Sequence, residues 1–198
     1  MTIIDQAFDM GMHQHRGEVD ALMAYLIPRR HAVNVLEIGS LRGGTMMLWA
    51  GVSSGVLVSV DLPDGPFGAK DHGLGRNEML ERNYRLQEMY PTRFFGVLGN
   101  SHDQSTLETV RRLVPHVDLL FIDGDHTARG VRLDYEMYAP LVRPGGVIVF
   151  HDILDTPLHR AADCRVDVLW HELKRTQSTR EFSVNNGWGG IGVVEVPA

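Results

Sequence analysis

The sequence predicts an α/β domain built on a largely parallel sheet, and three observations carry that reading. Five short runs rich in branched apolar residues, VNVLEI, VLVSV, FFGVL, VDLLFI and GVIVF, have strand length and suit strands buried on both faces. Stretches with helical spacing of apolar residues separate them, so strand and helix alternate along the chain. Two of the runs stop at acids and imidazoles, Asp123, Asp125 and His126 after one and His151 and Asp152 after another. The carboxyl ends of parallel strands are where such sheets bind ligands.

Taken in order, Val19, Leu22, Met23 and Leu26 recur at helical spacing and predict a helix over GEVDALMAYLI that ends before Pro28. Residues 1–30 form an N-terminal helical or lid segment. VNVLEI follows as a strand closed by Gly39, and GGTMMLWAGV resumes helical character; VLVSV, 56–60, is the second strand. Residues 61–75, DLPDGPFGAKDHGLG, mix glycine, proline and charge and are read as a mobile surface loop of the kind that serves as a lid or binding segment. RNEMLERNYRLQEMY is helical and FFGVL extended. Ser105 and Glu108 form a capping box ahead of Leu107, Val110, Leu113 and Val114, which starts the next helix near Ser105. VDLLFI is a strand, GVRLDYEMYAPLV a helix terminated by VRPGG, and GVIVF the fifth strand. Beyond residue 160 a helix over VDVLWHELKR precedes REFSV and IGVVEV, read as an antiparallel edge pair joined by a tight glycine-rich connection.

All 198 residues fit one domain, since 43% hydrophobic and 22% charged residues are ordinary for a globular core. A formal charge of -6 lacks the basic footprint of phosphate-backbone binding, so no nucleic-acid partner is expected. The apolar runs fall well short of the roughly 20 residues a membrane span needs, and no membrane partner is expected either. The opening MTIIDQAFDMGMHQHRGE has neither a basic nor an apolar targeting region, and Cys164 is the single cysteine, from which a cytoplasmic location is expected.

The turn LEIGSLRGGT contains the first candidate ligand contacts, Glu37, Gly39, Ser40 and Gly43. Leu41 stands where a dinucleotide fingerprint requires its second glycine, so a pyrophosphate cannot approach the main chain and NAD is disfavoured. An acid, a glycine two residues on and a later glycine instead resemble the first motif of class I S-adenosylmethionine-dependent methyltransferases. A structural glycine turn in another α/β protein is the alternative. Asp61 ends the second strand, where an acid can accept both ribose hydroxyls, with Asp64 as its competitor. Gly99, Asn100 and Ser101 end the third, where they can meet an adenine edge or cap a helix.

Asp123 and Asp152 end neighbouring strands at the same edge, close to where the sulfonium of such a cofactor would lie, and their convergence suggests a hard divalent cation. Asp123 is therefore both a cofactor and a metal candidate. His151 complicates the set, because adjacent strand residues face opposite ways and a shared role for His151 and Asp152 requires the strand to turn there. The histidines of MHQH (Met12 to His15) and His72 are read as solvated, or as lining a substrate lid. Tyr135 and Tyr138 are read as core, and Trp49, Trp170 and Trp188 as packing residues.

Together LEIGSLRGGT, FIDGDHT, LVRPGG and VIVFHDI resemble the small metal-dependent O-methyltransferases of sugars and natural products, related to macrocin-type and mycinamicin-type enzymes and to cephalosporin-hydroxylase-like proteins. The resemblance spans about residues 17 to 196. It implies a Rossmann-like, seven-stranded, mostly parallel sheet with its last strand reversed and helices on both faces. It also implies S-adenosylmethionine as cofactor, Mg²⁺ or Mn²⁺ held by Asp123, His151 and Asp152, and His126 or Asp125 as base. The family has an acid at the position of His151. An imidazole at His126 suits a base because it titrates near neutral pH, and Asp125 could orient it or take the role itself. The expected partner is a small-molecule or saccharide acceptor. Oligomeric state is open, a homodimer being one expectation. The rivals are a catechol-type acceptor, a nucleotide-cofactor oxidoreductase, a non-catalytic partner subunit, and a hydroxylase-like protein on the same fold.

Overall fold

Period-two alternation along the strands divides the interior into two cores, one on each face of a single sheet. The computed structural model describes residues 1–29, 34–67, 71–72, 74–91, 93–184 and 187–198, with the backbone alone at 29, 66, 67, 71 and 72. In chain order the strands are β1 (Val35–Ile38), β2 (Leu57–Asp61), β3 (Pro66–Phe67), β4 (Asp71–His72), β5 (Phe94–Leu98), β6 (Val117–Ile122), β7 (Val142–Phe150), β8 (Ser178–Phe182) and β9 (Ile191–Glu195). The helices are α1 (Ile3–Asp9), α2 (Arg16–Leu26), α3 (Gly44–Val52), α4 (Arg76–Met89), α5 (Gln104–Leu113), α6 (Ala128–Tyr138), α7 (Pro157–Ala161) and α8 (Val166–Thr176). Leu36, Ile38, Val58, Leu120, Ile148 and Val194 face α5, α6 and α8, packing on Val110, Val131 and Trp170. Val35, Leu57, Phe121, Val149 and Val193 face the other way, onto Val19, Leu22, Met46 and Trp49 of the N-terminal helices and α3. Burial on both faces is why the strands read as continuous apolar runs.

The main sheet has the order β5-β2-β1-β6-β7-β9-β8. β5, β2, β1, β6 and β7 pair in parallel, and β9 is antiparallel to both β7 and β8. The reversed strand is thus β9, inserted between β7 and β8, so of the C-terminal pair β8 alone lies at a sheet edge, β5 forming the other edge. The strand order reverses beside β1, so the carboxyl ends of β1, β2 and β6 open onto a crevice, the usual ligand site of such sheets.

Three local expectations are corrected, and of the segment 61–75 residues 68–70 and 73 lie outside the described residues. Helix α5 starts at Gln104 with Asp103 as its N-cap, so Ser105 and Glu108 lie inside the first turns and form no capping box. VRPGG lies within β7 rather than ending a helix: Val142 pairs with Val117, the register then shifts, and Val147 pairs with Leu119. Gly145, at φ 77°, supplies the left-handed residue of this bulge, which also accommodates Pro144. The connection between β8 and β9 is the eight-residue segment 183–190, not a tight turn. Within 61–75, β3 and β4 form a two-stranded ribbon, and Asp64 donates its amide to the Leu74 carbonyl (3.1 Å) across its base. Among the described residues no helix is long and apolar enough to cross a membrane.

Candidate active site

The turn after β1 is built from three left-handed residues, Gly39 (φ 84°), Leu41 (φ 43°) and Gly43 (φ 85°). A Cβ on Gly39 would stand 2.1 Å from the Asp123 carbonyl oxygen, so only glycine lets the turn pack on the end of β6. Asp61 holds the turn from the side. Its Oδ1 accepts from the amides of Ser40 (2.9 Å) and Leu41 (3.3 Å), and its Oδ2 from the Ser59 hydroxyl (3.0 Å) and the Arg82 guanidinium (2.8 Å). Arg82 donates also to the Leu41 carbonyl (2.7 Å), so a buried ion pair fastens α4 to the turn.

Above this turn lies a cavity of about 340 Å³. Gly39, Ser40, Asp61, Asn100 and Ser101 line it together with Asp123, Asp125 and His126. Two predicted contacts sit behind the wall. Gly43 is the N-cap of α3 and donates to the Ser40 carbonyl (2.7 Å), and Glu37 is wholly buried, accepting the Thr45 hydroxyl. Burial pushes the Glu37 carboxyl up to about 8. The four acceptor sites of Asp61 are already filled within the protein, so a ribose there must displace one of the weaker bonds. Asn100 accepts the His102 amide (2.9 Å), and Tyr138, read as core, donates its hydroxyl to the Ser101 carbonyl (2.8 Å). His102 also lines the cavity, 3.3 Å from the fully buried Asp134, whose hydrogen bond raises the imidazole pKa.

The strand ends of β6 and β7 do converge. Asp123 Oδ1 is 3.2 Å from His126 Nε2 and 3.3 Å from His151 Nδ1; Asp152 Oδ1 is 3.4 Å from His151 Nδ1, and its Oδ2 is 3.5 Å from His126 Nδ1. Asp152 adopts φ 58°, a conformation rare outside glycine, and this turn of the chain lets two successive residues serve one site. Burial alone would depress His151, but the charges of Asp152 and Asp123 outweigh it and hold its pKa at about 10. Burial likewise opposes the charged form of His126, and its hydrogen bonds and the two carboxylates hold it well above the ordinary imidazole value. The two acids respond oppositely: burial is outweighed by the neighbouring imidazoles and both are lowered, Asp152 strongly. One atom each of Asp123, His151 and Asp152 lies within 4.8 Å of the other two, and two carboxylates with one imidazole form a donor set that fits a divalent cation of the Mg²⁺ or Mn²⁺ kind.

Asp125 is placed differently from expectation. Its carboxylate accepts the Thr127 amide (2.9 Å) and folds against Gly130, where a Cβ would meet it at 1.9 Å, so Asp123 and Asp152 rather than Asp125 orient His126. MHQH is also more than solvated surface. Gln14 is 7% exposed and donates to Asp123 Oδ2 at 2.6 Å, while His15 caps α2 by accepting the Gly17 amide (3.2 Å). The His72 side chain lies outside the described residues. His159, unmarked in the sequence, stands with Nε2 3.3 Å from Asp152 Oδ1 and accepts the Gly189 amide (3.1 Å), bracing the site from the β8–β9 connection. Trp188 on that connection turns its ring edge-on to His151, 6.2 Å between centroids. No spacing pattern announces Gln14, Arg82 or His159, because each reaches the site from a different element.

A sequence profile of methyltransferase domains matches residues 36–153, from β1 through the end of β7. Over 81 residues, 41% of this chain, the sequence is 32% identical to Uncharacterized protein R132 of Acanthamoeba polyphaga mimivirus, and the match spans 37% of that protein's length. The fold is similar to that of the O-methyltransferase TomG from Streptomyces achromogenes, solved with S-adenosylmethionine. The TM-score is 0.68 at 20% identity, covering 100% of this chain and 91% of that one. It is similar also to MycE of the mycinamycin biosynthetic pathway, solved with Mg, S-adenosylhomocysteine and mycinamycin VI. There the TM-score is 0.63 at 18% identity, covering 98% of this chain and 52% of MycE. The sheet order and these likenesses identify the fold as the Rossmann-like class I methyltransferase fold.

Proposed function

Because this chain belongs to a methyltransferase domain family, we propose that it is an S-adenosylmethionine-dependent O-methyltransferase acting on a hydroxyl of a sugar or natural product with divalent-cation assistance. The observation that carries the reading is the meeting of Asp123, His126, His151 and Asp152, of which Asp123 and His126 line the same cavity as Gly39 and Ser40 of the β1 turn. Gly39 and Ser40 would receive the amino-acid part of the cofactor, Asp61 its ribose, and Asn100 and Ser101 its adenine edge. Asp123, His151 and Asp152 would hold the cation. The cofactor supplies a methyl on a sulfonium leaving group, and the cation lowers the pKa of the acceptor hydroxyl and orients it.

An alcohol is almost wholly protonated at neutral pH, so a base must take its proton as the oxygen attacks. His126 is suited to this at Nε2. Its ring is held between two carboxylates, and both stabilise the imidazolium that results. Asp125, engaged by the Thr127 amide, is the weaker candidate. Gln14 holds Asp123 Oδ2 and so fixes the carboxylate that faces both histidines. TomG is solved with S-adenosylmethionine, and MycE with Mg, S-adenosylhomocysteine and mycinamycin VI, which supports this choice of cofactor and acceptor class.

Thermal unfolding with S-adenosylmethionine, S-adenosylhomocysteine or NAD, each with Mg²⁺, Mn²⁺ or a chelator, tests cofactor and cation together, since a ligand at 100 times its Kd adds about 2.7 kcal/mol. Stabilisation by the two sulfur compounds and not by NAD is the expected result; the reverse ends the reading. His126→Ala should lower turnover by roughly 10²-fold or more while retaining S-adenosylhomocysteine binding. A panel of sugars, macrolides and catechols then decides the acceptor, and turnover of catechols alone would replace the sugar reading by the catechol one.

A further inference from the structure

Cys164 takes no part in the chemistry above, and as the only cysteine it forms no internal disulfide. It lies between α7 and α8, 5% exposed, with its thiol within hydrogen-bonding reach of the His126 ring. Backbone bonds fix this placement. The Cys164 amide donates to the His159 carbonyl (2.9 Å), and the next amide, of Arg165, donates to the carbonyl of His126 itself (2.7 Å). The thiol is thereby tied to both histidines that flank Asp152. His126, Asp152 and Cys164 each present one ligand atom within 4.8 Å of the other two.

The donor type separates this group from its neighbour. Asp123, His151 and Asp152 offer two carboxylates and an imidazole, whereas the second group offers sulfur, nitrogen and one oxygen, the mixture that tetrahedral zinc takes. Ligands at about 2.0–2.3 Å in a tetrahedron stand about 3.3–3.7 Å apart, and His126 Nδ1 is 3.5 Å from Asp152 Oδ2. That edge needs almost no adjustment. Asp152 meets the two groups with different atoms, Oδ1 toward His151 and Oδ2 toward His126. The groups share a residue without sharing a donor. Both ring nitrogens of His126 then face a ligand of one or other group, and His126 itself lines the cavity.

We infer that His126, Asp152 and Cys164 form a second cation site, selective for a thiophilic ion of the zinc type, and that an ion there withdraws His126 from proton transfer. The inhibitory half rests on His126 as the base of the proposed methyl transfer; the binding half does not. Because the two groups use different oxygens of Asp152, excess Mg²⁺ does not relieve the inhibition. Binding releases the thiol proton, since the ligand is the thiolate.

The test uses the full chain with Mg²⁺ in excess and Co²⁺ as a visible substitute for Zn²⁺. One equivalent of Co²⁺ should produce a thiolate-to-cobalt charge-transfer band with tetrahedral ligand-field absorption, bleached by Zn²⁺. Cys164→Ser and Cys164→Ala, with unfolding temperatures recorded for both, should lose the band. Absence of the band in the unaltered protein, or its persistence in both variants, overturns the site. In turnover assays Zn²⁺ should inhibit the unaltered protein at any Mg²⁺ concentration, and Cys164→Ser should retain its Mg²⁺-supported rate while needing at least tenfold more Zn²⁺ for half inhibition. Equal sensitivity of the two proteins overturns the control of turnover. The cobalt spectrum reads the site whether or not methyl transfer is found, so failure of the proposed activity and failure of the site are told apart.

Discussion

Asp61 accepts from four donors and Arg82 supplies the only cation among them, with both side chains about one-twentieth exposed. Arg82→Met leaves a buried carboxylate without its counter-charge and should cost about 3–5 kcal/mol in chemical denaturation, whereas Arg82→Met with Asp61→Asn should recover most of it. Recovery is the informative measurement, because a packing defect alone would persist in the double variant. Asp61 was readable as an acid ending a strand; Arg82 was not, since it arrives from α4, a helix of charged residues with no period that singles it out. His126 was readable by its place after Asp123, but its electrostatic setting comes from Asp152 on another strand. Its raised pKa has a measurable consequence. With no divalent cation added, the imidazole should titrate above the ordinary value of about 6.5 when followed by NMR, and Asp125→Asn should leave that titration in place.

Elements were legible where a strand reads as an apolar run: β6, buried at every position, coincides with VDLLFI, and the partly buried edge strand β5 coincides with FFGVL. Boundaries decided by a single backbone angle were less so. Asp103 in extended conformation (φ -84°, ψ 132°) starts α5 two residues before Ser105, although a Ser-x-x-Glu pattern follows. Pro144 and the glycines after it read as a helix stop, yet the bulge draws them into β7. The strand β9 shows how tightly the elements fit. A Cβ on Gly192 would stand 2.6–2.8 Å from three atoms of the Trp170 ring of α8. Gly192→Ala should therefore lower the unfolding free energy by about 1–3 kcal/mol, and replacing Trp170 by Leu in the same chain should make the added methyl less harmful. Equal penalties in both backgrounds would show that the methyl meets something other than the indole.

For the molecule as a whole, the glycine turn and the acids after β6 and β7 pointed to fold and cavity because their spacing is local, while the closing of the site by Gln14, His159 and the 183–190 connection depends on contacts across more than a hundred residues or between separate loops. Global stability carries a pH dependence from Glu37. Its carboxyl is ordinarily near 4.5 and is pushed by burial to about 8, so between those values the folded chain holds a proton that the unfolded chain has lost. Stability from this group is accordingly full below about pH 4.5, falls as pH rises, and stops falling above about 8. Glu37→Gln should remove a slope amounting to on the order of 4–5 kcal/mol across that window, measured as the difference between the two proteins' unfolding free energies at each pH. Parallel curves would mean that Glu37 is ionised in the fold. The insertion of β9 bears on biosynthesis. Among the strands β8 pairs with β9 alone, so a nascent chain that has emerged through Phe182 has five strands of the main sheet able to assemble and a sixth without a strand partner. Until Glu195 has left the ribosome the flank of β7 stays open to strands of other chains, and a guardian such as a ribosome-associated chaperone would find its substrate in that interval.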